Sequence, residues 1–188
     1  MRASHALGAA AVLLAACAPR VPELVRPRPG SVAPPSVRRA PSPCYNTLYR
    51  FTCVLPRGFL ITEEGPGPGK IMTLVRRSRT SAEEANLSVR VYPLRQDRLK
   101  RLIEKRVYGP LRRSSGVQDL RMEEAAIGAR RGFEVSLLRA YATGEYAQRV
   151  FAFEHDGNAF LIEHAAPLLR AAKDRGALEA FVQSIAFR

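Results

Sequence analysis

The chain has 188 residues, 46% hydrophobic and 25% charged, which is room for one domain of ordinary size once a signal segment is set aside. Its formal charge of +13 comes from 30 Lys and Arg against 17 Asp and Glu. Only Lys70, Lys100, Lys105 and Lys173 are lysines, and alanine is abundant, the bias of a GC-rich genome, so part of the charge reflects codon usage. No basic-aromatic recognition module is visible, which argues against a nucleic-acid partner.

Arg2 supplies the positive n-region of a signal peptide, and residues 6–16 form an apolar run of about ten residues. A membrane-spanning helix needs ~20 such residues. Pro19 and Arg20 end this run too early. Leu14-Ala15-Ala16-Cys17 resembles the lipobox of bacterial lipoproteins. That resemblance implies cleavage after Ala16, a diacylglycerol thioether on the Cys17 sulfur, and usually a third acyl chain on the new amino group. The alternative is a plain secretory signal in which Cys17 is an incidental apolar residue. Two or more acyl chains, at ~0.8 kcal/mol per buried CH₂, hold a protein on a bilayer almost permanently. Ala18, rather than Asp, follows Cys17, which by the same resemblance points to the outer membrane of a Gram-negative host, with the protein facing the periplasm.

With residues 1–16 as the signal, residues 17–43 form the lipidated cysteine and a linker. Eight of the fourteen prolines fall in 18–43, with no apolar periodicity, so this stretch favours polyproline II or disorder. Its arginines (Arg20, Arg26, Arg28, Arg38, Arg39) either lie on anionic lipid or only keep a spacer solvated. Setting Cys17 aside leaves Cys44 and Cys53, and in an oxidising periplasm two cysteines so close are expected to form a disulfide. A redox-active pair is the alternative, but the spacing is not C-x-x-C.

From residue 44 to 188 the pattern is that of an α+β domain. Tyr49, Phe51 and Cys53 alternate with Arg50 and Thr52, the period of a half-buried strand. Pro56-Arg57-Gly58 turns the chain into a second strand at residues 59–62. The Gly65-Pro66-Gly67-Pro68-Gly69 loop is no phosphate cradle, because its prolines lack amide donors and no helix follows. Strands are expected at 71–77 and 85–92, with Leu87, Val89 and Val91 on one face and Ser88 and Arg90 on the other. Residues 96–107 read as an amphipathic helix with Leu99, Leu102, Ile103 and Val107 on one stripe. Its other face carries Arg98, Arg101, Lys105 and Arg106, a candidate binding face for phosphate-rich lipid or an acidic partner, or simply a solvated surface. Strands follow at 117–126, 130–141, 146–154 and 159–165, with a hairpin turn at Asp156-Gly157-Asn158. A last helix, from about Asp174 to Ile185, carries Leu178, Phe181, Val182 and Ile185 at core spacing, and Phe187 follows as an anchor. This order predicts an antiparallel sheet packed against helices.

Phe51-Thr52-Cys53-Val54-Leu55-Pro56-Arg57-Gly58-Phe59 resembles the start of Mog1/PsbP-like domains, F-x-[VI]-x-x-P-x-G-[FW]. Residues 157–164 and 181–187 are similar to that family's G-x-x-[YF]-x-[IVL] strand and its closing S-[FI]-x-F. The resemblance implies an α/β/α sandwich with about six to seven antiparallel strands. Members are mostly binding or assembly proteins: small-GTPase partners, extrinsic photosystem subunits, secretion chaperones and envelope lipoproteins. No binding residue is common to partners so different.

Candidates for catalysis are few. His155 precedes a turn and reads as exposed, while His164 lies on a strand as an interior or rim group. Glu83-Glu84 and Glu123-Glu124 are sequence neighbours whose side chains point apart. Elbow, zincin and clustered metal-ligand motifs are missing from the sequence. The expectation is therefore a non-catalytic protein without cofactor or metal. It would be membrane-anchored and bind an envelope protein, with a carrier or sensor of lipid, glycan or another small ligand as the alternative.

Overall fold

A computed structural model describes residues 43–76, 84–95 and 97–188. The signal segment, Cys17, the linker to residue 42, Glu83 and Gln96 lie outside those residues. Strand β1 (Pro43–Asn46) starts one residue before the expected domain boundary and turns back into β2 (Phe51–Val54). Asn46 Oδ1 closes the turn by accepting the Tyr49 N–H at 2.9 Å. Cys44 and Cys53 are direct register partners with Cα atoms 4.9 Å apart, and they form a disulfide. A short last strand, β10 (Ala186–Phe187), pairs with the free edge of β2 and completes a three-stranded antiparallel sheet.

The main sheet has seven antiparallel strands in the order β3-β4-β5-β9-β8-β7-β6. They are β3 (Leu60–Glu64), β4 (Gly69–Arg76), β5 (Ala85–Pro93), β6 (Val117–Ile127), β7 (Arg130–Tyr141), β8 (Gly144–His155) and β9 (Asn158–Pro167). The expected strand number holds for this sheet, and the small second sheet is an addition. Between β8 and β9, Asp156 and Gly157 have φ of 46° and 67°, the paired positive values that a two-residue hairpin loop requires.

Side-chain alternation gives the main sheet two buried faces. On one, Leu87, Val89, Val91, Phe151, Phe153, Phe160 and Ile162 pack with the inner face of the small sheet and the C-terminal half of α3 (Leu168–Ser184). On the other, Val135, Val150, Ala152, Ala159 and Leu161 meet Leu102, Ile103 and Val107 of the first helical segment. The architecture is an α/β/α sandwich, α+β in class.

Two helix boundaries depart from the sequence reading. The first helix starts at α1 (Leu99–Ile103) and does not stop at Val107. It passes through a π-helical turn (Glu104–Tyr108) into α2 (Gly109–Arg112). Pro110 is the cause: its ring would strike the carbonyl four residues back, so the turn opens and the Gly109 N–H reaches the Glu104 carbonyl, five residues away. A Cβ on Gly109 would lie 2.8 Å from that carbonyl oxygen. Gly109→Ala is therefore expected to destabilise the fold by about 1–3 kcal/mol through overpacking, although alanine is the better helix former by ~1 kcal/mol. A urea titration reads the sign directly. The last helix, α3, begins at Leu168 rather than near Asp174, immediately after Pro167. Its first turns stand over a polar strip instead of the core, so they carry no apolar periodicity.

Candidate functional site

The polar strip beneath α3 follows from strand register. Arg121, Ser136, Arg149 and His164 are successive partners across β6, β7, β8 and β9, on the face that α3 covers. Arg149 Nε and Nη2 donate to the two oxygens of Glu134 at 2.7 and 2.9 Å, and Nη1 donates to Glu179 Oε1 on α3 at 2.6 Å. Hydrogen bonding to Glu134 outweighs burial and holds the guanidinium more firmly protonated than usual. One turn earlier, Asp174 on α3 accepts both terminal N–H groups of Arg76 on β4 as a bidentate pair. Two ion pairs thus clamp the helix over the strip. The Arg130 guanidinium donates to the Ile185 carbonyl where α3 ends and lies over the Phe153 and Phe187 rings, and burial lowers its pKa.

A cleft of about 480 Å³ opens beside these pairs, lined by Arg121, Ser136, Ala147, His164, Ala172 and Arg175 among others. His164 is only 3% exposed, and its Nε2 has no hydrogen-bond partner among the described residues. The imidazole is an interior group, but not a satisfied one. Burial, reinforced by Arg149 and Arg76 and opposed by Asp174 and Glu179, pushes its pKa below the ordinary 6.5. The unfolded imidazole takes a proton near pH 6.5, whereas the folded one does so only at lower pH. Stability is thus expected to be level above pH 7 and to fall as pH drops below about 6.5. Denaturant midpoints at pH 7.5 and 5.5 measure that slope, and His164→Gln should flatten it.

The expected basic face is present as exposed side chains on the opposite layer: Arg98 precedes α1, Arg101 lies on it, and Lys105 and Arg106 fall in the π-helical turn. Arg101 pairs with Asp97 at 3.7 Å, and the Arg106 guanidinium stands 5.4 Å from the Tyr92 ring centre. Lys105, Arg106 and Arg95 share a cleft of about 380 Å³ with Tyr92 and Leu94. Next to it Arg90, Arg106 and Arg139 line a smaller cleft of about 210 Å³, where Arg90 is held by Glu163 at 3.1 Å. The face is not one uniform cationic surface.

The small sheet presents a third surface. Its inner face buries Cys44, Phe51 and Cys53, while Tyr45, Val54 and Ala186 point outward and stand exposed beside Leu48 in the turn. The sequence reading placed a strand and a disulfide here but no exposed apolar face, because the partner strand β10 is only two residues long.

His155 is half-buried rather than simply exposed, its ring stacked on Phe187 at 3.5 Å between centres. Glu123 and Glu124 are exposed neighbours on β6, opposite Glu134 and Phe133. Among the described residues no group of three or more His, Cys, Asp or Glu could hold a metal ion. No described helix is long and apolar enough to cross a membrane.

These features define the fold class as Mog1/PsbP-like. Solved structures with this fold include the PsbP of Synechocystis sp. PCC 6803 (CyanoP), with a TM-score of 0.57 and 12% identity over 84% of this chain and 99% of that one. The Saccharomyces cerevisiae Ran-binding protein Mog1p aligns with a TM-score of 0.53 and 12% identity, over 78% of this chain and 95% of its own. A protein of Bacteroides thetaiotaomicron gives 0.53 at 11% identity, covering 78% of this chain and 48% of that one. No family model matches the sequence, and no curated protein does either.

Proposed function

We propose that this chain is a bacterial envelope lipoprotein, anchored through Cys17, whose non-catalytic domain serves as an accessory subunit of an envelope or secretion complex. The observation that carries the reading is the exposed outer face of the small sheet, where the Arg188 guanidinium stands 5.6 Å from the Tyr45 ring centre. Tyr45, Leu48 and Val54 leave apolar area in water on an edge hairpin, directly after the linker. A disulfide pins that hairpin, so the surface is preorganised and loses little conformational entropy on docking. The Ran-binding Mog1p is a protein-binding member of the same fold, which supports a protein partner. The Ala18 rule favours the outer membrane. In-cell crosslinking of the full chain, followed by mass spectrometry, tests the proposal. One or two reproducible envelope partners, lost in Tyr45→Asp, support it. An unmodified Cys17 removes the anchor, and capture without any protein removes the subunit.

A second reading, a carrier or sensor of a small ligand, is favoured by the unpartnered His164 Nε2 in the cleft under α3. Co-purifying lipid or glycan in the same experiment would select it.

A further inference from the structure

Exposed apolar side chains also collect at the end of the main sheet where β7 turns into β8 and β9 runs into α3. Leu169 is 98% exposed, Tyr141 50% and Leu168 40%. Tyr146 and Pro167 are register partners, so Leu168 and Leu169 emerge directly beyond Tyr146, whose ring meets Tyr141 edge-on at 5.4 Å. Arginines rim this tip. The Arg139 guanidinium stands 5.3 Å from the Tyr141 ring centre and donates to Ser114 Oγ at 3.1 Å. The Ala140 N–H donates to the Gly116 carbonyl at 2.9 Å. Those two bonds hold the segment after α2, with exposed Arg112 and Arg113 just before it, beside the tip. Arg170 follows Leu169 in the first turn of α3, and Glu145, the register partner of Ala140, adds one carboxylate.

Leu169, almost fully exposed on the first turn of α3, contributes nothing to the core, and Leu168 is only partly covered. Tyrosines with an apolar body and a polar tip settle at a membrane–water interface, and arginine forks match phosphate oxygens. Even with the carboxylates of Glu145 and, further along β6, Asp119, the arginines Arg112, Arg113 and Arg139 leave the rim net positive and complementary to a negative surface. We propose that this tip docks on an anionic lipid bilayer. Leu168 and Leu169 enter the acyl boundary, Tyr141 and Tyr146 sit at headgroup level, and Arg112 and Arg113 bind lipid phosphates. The inference goes beyond the accessory-subunit reading and does not depend on acylation of Cys17.

The chain contains no tryptophan, so Leu169→Trp places a single fluorophore at the tip and Leu60→Trp, also at an exposed leucine, serves as the control. The full chain, in a Cys17→Ser background that removes any acyl anchor, is titrated with vesicles of phosphatidylglycerol or of phosphatidylcholine. L169W emission is expected to shift to the blue with phosphatidylglycerol and not with phosphatidylcholine, while L60W stays unchanged in both. Because the emission reports position 169 itself, attachment through another part of the chain does not mimic the result. Adding Arg112→Gln and Arg113→Gln should weaken the titration about thirty-fold, from ~1 kcal/mol for each arginine near an anionic surface. An L169W spectrum that ignores phosphatidylglycerol, or responds equally to phosphatidylcholine, overturns the proposal. A shift that requires an added envelope protein assigns the tip to that protein and overturns it too. Crosslinking through Tyr45 succeeds or fails independently of all these outcomes.

Discussion

Asp174→Ala is expected to lower the stability of the domain by about 3–5 kcal/mol, the range for removing one partner of a buried ion pair. The Asp174 side chain is fully buried on α3, and the Arg76 guanidinium it accepts from is three-quarters buried against the Phe59 ring. The loss comes mainly from leaving the arginine charge without a partner in a place water barely reaches. Replacing both residues, Asp174→Leu with Arg76→Met, should recover most of it, because two packed apolar side chains need no counter-charge. Urea midpoints for the single and double variants decide the point. A double variant no more stable than Asp174→Ala would show that the pair has a positional role apolar packing cannot supply.

Phe160→Ala is expected to cost a similar ~3–5 kcal/mol by a different route, a cavity in the centre of the larger core. Phe160 stacks on Phe153 at 5.4 Å and meets Phe187, Phe51 and Tyr49 edge-on at 5.1, 6.0 and 5.9 Å. These rings come from β9, β8, β10, β2 and the turn before β2, so one truncation loosens the small sheet from the large one. Thermal unfolding should show a lower midpoint. Proteolysis near Arg50 should accelerate more than proteolysis at Arg113, just after α2 on the opposite layer. Equal acceleration at both sites would mean that the two sheets unfold as one unit.

Strands with a dry and a wet side announce themselves by alternation, which is why β5, with Leu87, Val89 and Val91 inward, and the Asp156-Gly157 hairpin were legible before any coordinates. β10 was not, since two residues carry no period and Phe187 could only be read as an anchor. The first helix was misjudged at its end because Gly109-Pro110 is normally a stop signal, and a π-helical turn absorbs it here. The first turns of α3 were missed because its alanines lie over arginine and histidine rather than over leucine. The ion pairs of the candidate site could not be foreseen, as Arg76 and Asp174 are 98 positions apart and only strand register joins Arg149 to Glu134. The exposed tip required knowing that Tyr146 lies opposite Pro167.

The pairing of β2 with β10 has a consequence for how the chain becomes a protein. Thr52 and Ala186 touch across 134 positions, whereas Cys44 and Cys53 are separated by nine. The hairpin can close while most of the chain is still being synthesised, but the sheet it belongs to has no third strand until residues 186–187 arrive. Contact order is therefore high at the seam, and loop closure over such a span must precede the contacts that reward it. A newly made chain would spend its first moments with a finished hairpin and an unfinished sheet. In that interval the bare edge of β2 is the part most in need of shielding from other strands.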